Sequence, residues 1–273
     1  MDNLPLDAQL SEWRVSKNRP QYQRYSSGVV SMLQGLRGRI RRRQDTAIRA
    51  LAFTCSRHRP LMLRHCIMQL QRQSYPIDHA IYVNSPEDEN ADRTSVHYDA
   101  LLNDVCQNIS GKVLISYGKS QTFHKNFVSA LKMISVDDYD LFFKVDDDDI
   151  YLHSYVRDVV EDFVVNRWDY SGTCSHGVLN GHRWCPGVIQ TDLGLGQKER
   201  DLGIPAIMPS SAAFSPKAIR IILEAPDSPF FEDIHWRRLL AGTSNVIMAL
   251  RDDRNFIYNI HGGNASTATW LER

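Results

Sequence analysis

Phe142-Phe143-Lys144-Val145-Asp146-Asp147-Asp148-Asp149-Ile150-Tyr151 passes from an apolar segment directly into four consecutive carboxylates. A strand over 141–145 this apolar belongs inside a sheet with both faces covered. Four adjacent like charges repel one another and raise one another's pKa values, so a fold gains nothing structural by gathering them at a buried strand end. A divalent cation removes the conflict, because Mg²⁺ and Mn²⁺ take hard oxygen ligands. Side chains alternate along an extended chain, so Asp146 and Asp148 share one side. One of them then meets the metal while the other meets a ribose hydroxyl or the same ion. The competing use is an acidic turn that caps a helix beginning near Leu152, since Asp suits helix starts. An EF-hand is excluded, because its required Gly and distal Glu are missing.

Upstream, the chain alternates between strand and helix. Residues 48–54 (Ile-Arg-Ala-Leu-Ala-Phe-Thr) read as a first strand, followed by the polar turn Cys55-Ser56-Arg57-His58-Arg59. Pro60 stands where a first helical turn accepts it, and Leu61, Leu63, Cys66, Ile67 and Leu70 supply an apolar stripe. A second strand is expected over 77–83, ending at Asn84-Ser85-Pro86, and a third over 112–116. A helix follows, with Phe127, Ala130, Leu131 and Ile134 on one face. This alternation predicts an α/β fold with a mainly parallel central sheet and helices on both faces. Ligands of such sheets bind beyond the carboxyl ends of the strands. Topology therefore brings Ser56, Arg57, Asn84, Ser85 and Asp146 to Asp149 into one crevice.

Downstream, a helix is expected over about 152–165. Residues 167 to about 210 have weak periodicity and read as irregular strands and loops that shape a binding surface. Ser215-Pro216 caps a helix carrying Ile219, Ile222 and Leu223. Another helix opens at Phe231-Glu232-Asp233 and carries Ile234, Trp236, Leu239 and Leu240. Trp168, Trp184 and Trp236 either stack on a sugar or fill the core.

Residues 1–46 differ from the rest. They are polar, with a helical pattern from about Ser27 and a basic run over Arg37–Arg43. We expect two parts, an N-terminal helical extension (1–46) and a single globular domain (47–273). The basic run reads as a solvated extension or as a peripheral contact with anionic lipid. Lys plus Arg and Asp plus Glu both total 32, so nothing draws the whole chain to nucleic acid. None of the five cysteines forms a C-x-x-C pair, which argues against a zinc ribbon or a thioredoxin-type site. An odd count and the lack of an apolar leader predict free thiols and a cytoplasmic protein, peripheral at most to the inner face of the membrane.

Taken together, the strand leading into Thr54-Cys55-Ser56-Arg57-His58-Arg59-Pro60, then Tyr82-Val83-Asn84, then the aspartate run, resembles the GT-A fold glycosyltransferases, and among them the family 2-like enzymes. The resemblance covers about 47–265. Their D-x-D motif matches Asp146-Asp147-Asp148 or, in a shifted register, Asp147-Asp148-Asp149. Phe231-Glu232-Asp233 is similar to the family's E-D motif, which implies Asp233 as the catalytic base of an inverting enzyme. Tyr258-Asn259-Ile260-His261-Gly262-Gly263-Asn264 is similar to the segment whose His completes the metal shell, which implies His261 and Asp148 as metal ligands.

The resemblance further implies a Mn²⁺ or Mg²⁺ ion and a UDP- or GDP-linked sugar donor. Thr54, Ser56, Arg57, Asn84, Lys125, Asp146 and Asp147 would line the donor site. The acceptor would be a glycan, a glycolipid or another hydroxyl. Arg57 and Arg59 also suit phosphate, since guanidinium forks match its oxygens. This chain departs from the family at Asn84, where members often carry Asp. Two competing readings are a sugar-phosphate nucleotidyltransferase and a non-catalytic glycan-binding protein. The former would carry a Gly-rich loop after the first strand, and Cys55 to Arg59 has no glycine.

Overall fold

The structure, a computed structural model, describes residues 47–57, 59–85, 98, 102, 105, 111–119, 121–173, 175–180, 183–189, 207–227, 232–251 and 255–260. The chain divides into two units, Met1–Ile48 and Arg49–Arg273, and every element below lies in the second. The helix expected from Ser27, the basic run Arg37–Arg43 and His261 fall outside the described residues.

A seven-stranded sheet forms the centre, in the order β10-β6-β9-β4-β1-β2-β3. The strands are β1 (Ala50–Arg57), β2 (Asp78–Ser85), β3 (Val113–Lys119), β4 (Leu141–Lys144), β6 (Tyr170–Thr173), β9 (Ala213–Phe214) and β10 (Met248–Arg251). Its pairs are parallel except those of β9, which runs antiparallel to β4 and β6. The mainly parallel α/β sheet read from the sequence is therefore present.

Period-2 alternation along β2 sends successive side chains to opposite faces. Ala80 and Tyr82 join Leu51, Phe53, Phe127, Ala130, Leu131, Ile219, Ile222 and Trp236 in one core. Ile81 and Val83 join Leu63, Ile67, Tyr98, Leu102 and Val105 in the other. Helix α1 (Pro60–Gln71) thus packs on one face, and α2 (Phe123–Leu131), α4 (Pro216–Glu224) and α5 (Glu232–Ala241) contribute to the opposite one. Full burial of each large apolar side chain contributes about 1.5–3 kcal/mol. Local chemistry sets the helix starts. Pro60 and Pro216 occupy first turns, and the Thr122 and Ser215 hydroxyls accept from the Lys125 and Ala218 amides at 3.3 Å.

Several boundaries differ from expectation. Cys55-Ser56-Arg57 is not a turn; β1 continues through it because each residue pairs with Tyr82, Val83 and Asn84 of β2. Asn84 and Ser85 are likewise strand residues, paired with Gly118 and Lys119 of β3. The helix expected from Leu152 is α3 (Tyr155–Asn166). Residues after 167 are more regular than expected: β7 (Ser175–Asn180) and β8 (Arg183–Ile189) join β5 (Ile150–Tyr151) and β11 (Phe256–Ile260) in a second sheet, ordered β5-β11-β7-β8. Trp168 and Trp236 are core residues, each 1% exposed.

Candidate active site

The strand order itself creates the site. From β1 the chain moves to β2 and β3 on one side, while β4 lies on the other, so the direction of winding reverses between β1 and β4. Ligands of open α/β sheets bind at such a switch point, beyond the carboxyl ends of the strands. Lys144, the last residue of β4, pairs in register with Phe53, and the Val145 amide donates to the Phe53 carbonyl at 3.1 Å. The chain then turns through Asp146 to Asp149 beside the last residues of β1.

Each aspartate has a different environment. Asp146 accepts from Lys144 Nζ through both oxygens, at 2.7 and 2.9 Å. Lys144 is buried, and its ammonium lies 4.8 Å from the centre of the Phe127 ring. Asp147 is buried and accepts from the Ser56 hydroxyl at 2.6 Å. Its other oxygen lies 2.7 Å from Arg59 Nη2, an ion pair without hydrogen-bond alignment. Burial, helped by Asp148 and Asp146, pushes its carboxyl up to about 7 against the opposing pull of Arg59 and Ser56. Asp148 keeps an 11% exposed side chain and is paired with Arg59 Nη1. Asp149 is buried, and burial first, then Asp148 and Asp146, raises its carboxyl well above the usual range. One of its oxygens accepts from the Asn259 amide at 2.9 Å, and the other has no hydrogen-bond partner among the described residues.

The turn is clamped from three sides. Asn259 Nδ2 donates to the Asp148 carbonyl at 3.0 Å, tying the turn to β11. Tyr151 Oη accepts from the Asp146 amide at 2.9 Å and donates to the Ser210 carbonyl at 3.0 Å. Gln69 of α1 accepts from the Tyr151 amide at 2.6 Å and donates to the Asp149 carbonyl at 3.3 Å.

The other candidate residues fall into distinct groups. Ser56 and Asn84 lie on the same sheet edge as the acidic turn, with Arg57 exposed beside them. Asn84 is 5% exposed, and its Oδ1 has no partner among the described residues. Thr54 is fully buried, its hydroxyl 2.7 Å from His79 Nε2. Lys125, at the start of α2, pairs with Asp227 at 2.8 Å. Asp233 lies in the first turn of α5, a helix fastened by Trp236, whose indole donates to His124 Nδ1 at 2.8 Å. The sequence reading gave Lys144 no role and offered Arg59 only for phosphate. For Lys144 the signal was present: a lysine inside an apolar strand, two residues before a run of carboxylates.

One premise of the sequence reading needs correction. The four carboxylates do not depend on an external ion for all their counter-charge, because Lys144 and Arg59 supply two positive charges from within the chain. Among the described residues, no three His, Cys, Asp or Glu side chains converge as ligands for one ion. The arrangement still fits a Mg²⁺- or Mn²⁺-type site of the sparse kind, in which one carboxylate shares the ion with substrate phosphates. Asp146 and Asp148 are the two carboxylates of the turn whose side chains reach solvent, at 28% and 11%.

A doubly covered, mainly parallel sheet with an acidic turn at its switch point is the architecture that the GT-A resemblance implies. Solved structures agree. Over 81% of this chain, the mannosyltransferase PcManGT of Pyrobaculum calidifontis, in complex with GDP-Man and Mn²⁺, superposes with a TM-score of 0.57 at 8% identity. TarS 1–349 of S. aureus does so over 78% with a TM-score of 0.52 at 12% identity. This chain spans 59% and 60% of the length of those two proteins. No family model matches the sequence, and no curated protein matches it. Among the described residues, no helix is long and apolar enough to cross a membrane.

Proposed function

We propose that this chain is an inverting glycosyltransferase that moves a sugar from a UDP- or GDP-linked donor to a hydroxyl on a glycan, glycolipid or related acceptor. The observation that carries the reading is the aspartate turn at the switch point of a GT-A sheet, flanked on the same edge by Ser56 and Asn84. Asp146, preset by Lys144, accepts from a ribose hydroxyl. Asn84, buried with an unpartnered Oδ1, reads the edge of the base. Arg57 and Lys125 stand at the rim for phosphate. Thr54, Ser56 and Asp147 form the floor that supports them. Asp148 and His261 would hold Mn²⁺ or Mg²⁺, which when bound neutralises charge on the departing diphosphate. Asp233 takes the proton from the acceptor hydroxyl as that oxygen attacks. The likeness to a mannosyltransferase carrying GDP-Man and Mn²⁺ supports this reading, and so does the chemistry of the turn. Residues Arg37–Arg43 would give the protein a peripheral hold on an anionic membrane.

A thermal-shift panel of UDP and GDP, each with and without Mn²⁺, tests the donor site. Stabilisation that requires both nucleotide and ion supports the proposal and identifies the base. Turnover separates it from its competitors: release of nucleoside diphosphate marks the transferase, pyrophosphate a nucleotidyltransferase, and neither a binding protein. Asp148→Ala should abolish transfer and weaken donor binding, whereas Asp233→Ala should abolish transfer and leave donor binding intact. Full turnover in Asp233→Ala removes that residue from the mechanism.

A further inference from the structure

Arg59 is a poor residue for its place in the backbone. It is the N-cap of α1, where Ser, Thr, Asp or Asn would satisfy a free amide, and its side chain makes no capping bond. A cation there also opposes the positive end of the helix dipole. Its backbone is nevertheless fixed: the amide donates to Tyr98 Oη at 3.1 Å, and the carbonyl accepts from the Leu63 amide at 3.0 Å. Helix α1 therefore gains little from this side chain. What the guanidinium does instead is span the acidic turn, one nitrogen on Asp147 and the other on Asp148.

The two grips are unequal. The Asp147 side chain is 0% exposed and is also held by Ser56, whereas Asp148 and Arg59 reach solvent at 11% and 29%. An ion arriving from solvent meets the outer contact, to Asp148, first; that contact is hydrogen-bonded, whereas the inner one is an ion pair alone. A divalent ion on Asp148 would meet a positive guanidinium already bonded to the same carboxylate, and the two cations exclude one another there.

We propose that Arg59 is a tethered counter-ion of the acidic turn, and that a divalent cation gains Asp148 only by displacing the guanidinium from it, while Asp147 keeps its hold. The inference rests on the reading of Asp148 as the metal-binding residue. The arginine stabilises the turn before any ligand arrives and keeps affinity for the bare ion low. Its release from Asp148 frees an N–H fork beside the position proposed for the donor diphosphate.

The test is Mn²⁺ alone, with no nucleotide, titrated into the full chain while free ion is followed by electron paramagnetic resonance. Arg59→Gln should bind Mn²⁺ about tenfold more tightly than the unmodified chain, the size expected when a competing charge-assisted hydrogen bond is removed. Arg59→Lys, which keeps the charge, should stay close to the unmodified chain. Because Arg59→Gln strips the cation from a buried carboxylate and can cost folding, the double variant Arg59→Gln/Asp147→Asn should show the same tightening. Unchanged or weaker Mn²⁺ binding in both Gln variants overturns the proposal, since damage to the fold would not tighten an ion. Asp148→Asn separates the two ideas. Mn²⁺ binding lost in Asp148→Asn but not tightened in Arg59→Gln refutes the tethered counter-ion alone. Mn²⁺ binding unaffected by Asp148→Asn refutes the metal role of Asp148, and the proposal falls with it.

Discussion

Single residues in this chain take their properties from what surrounds them more than from what they are. His79 lies near the start of β2 with its Nε2 against Thr54 and its Nδ1 without a hydrogen-bond partner among the described residues. Burial lowers its pKa from 6.5 to about 3. A histidine depressed in this way adds stability that is fully present above about 6.5 and lost as pH falls toward 3, because only the unfolded chain takes up the proton. The loss approaches about 1.4 kcal/mol per pH unit within that window. Urea unfolding near pH 7 and near pH 5.5 should therefore show a stability drop that His79→Gln lacks; parallel pH profiles for the two proteins would refute the assignment. The acidic turn shows the same dependence on surroundings. Its four aspartates were legible as a cluster because they are contiguous. The counter-charge from Arg59 was not, since Arg59 lies 89 residues from Asp148 in sequence and shows no link to the turn until β1 and β4 are paired.

Elements were legible wherever the pattern is local. The apolar runs of β1, β2 and β4, the Pro60 and Ser215-Pro216 starts and the stripe on α2 each fall within one short window, and each was found to within a few residues. The second sheet was not anticipated, because β5 is two residues long and pairs with β11 more than a hundred positions away, and no short window contains that information. The same kind of long-range contact fixes α5, the helix that carries Asp233. Its Trp236 is 1% exposed, lies between 5.7 and 6.3 Å from the rings of Phe53, Phe127 and Phe214, and donates to His124. Trp236→Ala removes a large core side chain and should cost about 3–5 kcal/mol. Trp236→Phe keeps an aromatic ring but loses the N–H and part of the indole's volume, so it should cost less than the Ala variant, about 1–3 kcal/mol, through the unpaired His124 nitrogen and a small cavity. Denaturant midpoints test the ranking. A Phe variant as stable as the unmodified chain would refute the role given to the Trp236–His124 hydrogen bond.

At the scale of the whole molecule, the question is how much of the chain the fold needs. Every buried apolar residue among those described falls between Ala50 and Tyr258, and both sheets close within 50–260. Two apolar cores, one on each face of the central sheet, are built from segments that β1 ties together at the switch point. Residues 1–46, polar and ending in a basic run, are of a composition that adds little apolar burial. Stability scales with apolar area removed from water, so a chain that begins at Ala47 should unfold cooperatively with a denaturant midpoint and slope close to those of the full protein. A loss above about 1 kcal/mol would show that the extension packs on the domain and belongs to its core. If the basic run serves as a lipid contact, the same truncation should abolish co-sedimentation with anionic vesicles and leave Mn²⁺ and nucleotide binding unchanged. Electrostatic attraction of that kind weakens as salt rises, because screening shortens its reach to about 10 Å at 0.1 M ionic strength. Vesicle binding by the full chain that survives high salt would point to apolar insertion in place of the charge of Arg37–Arg43.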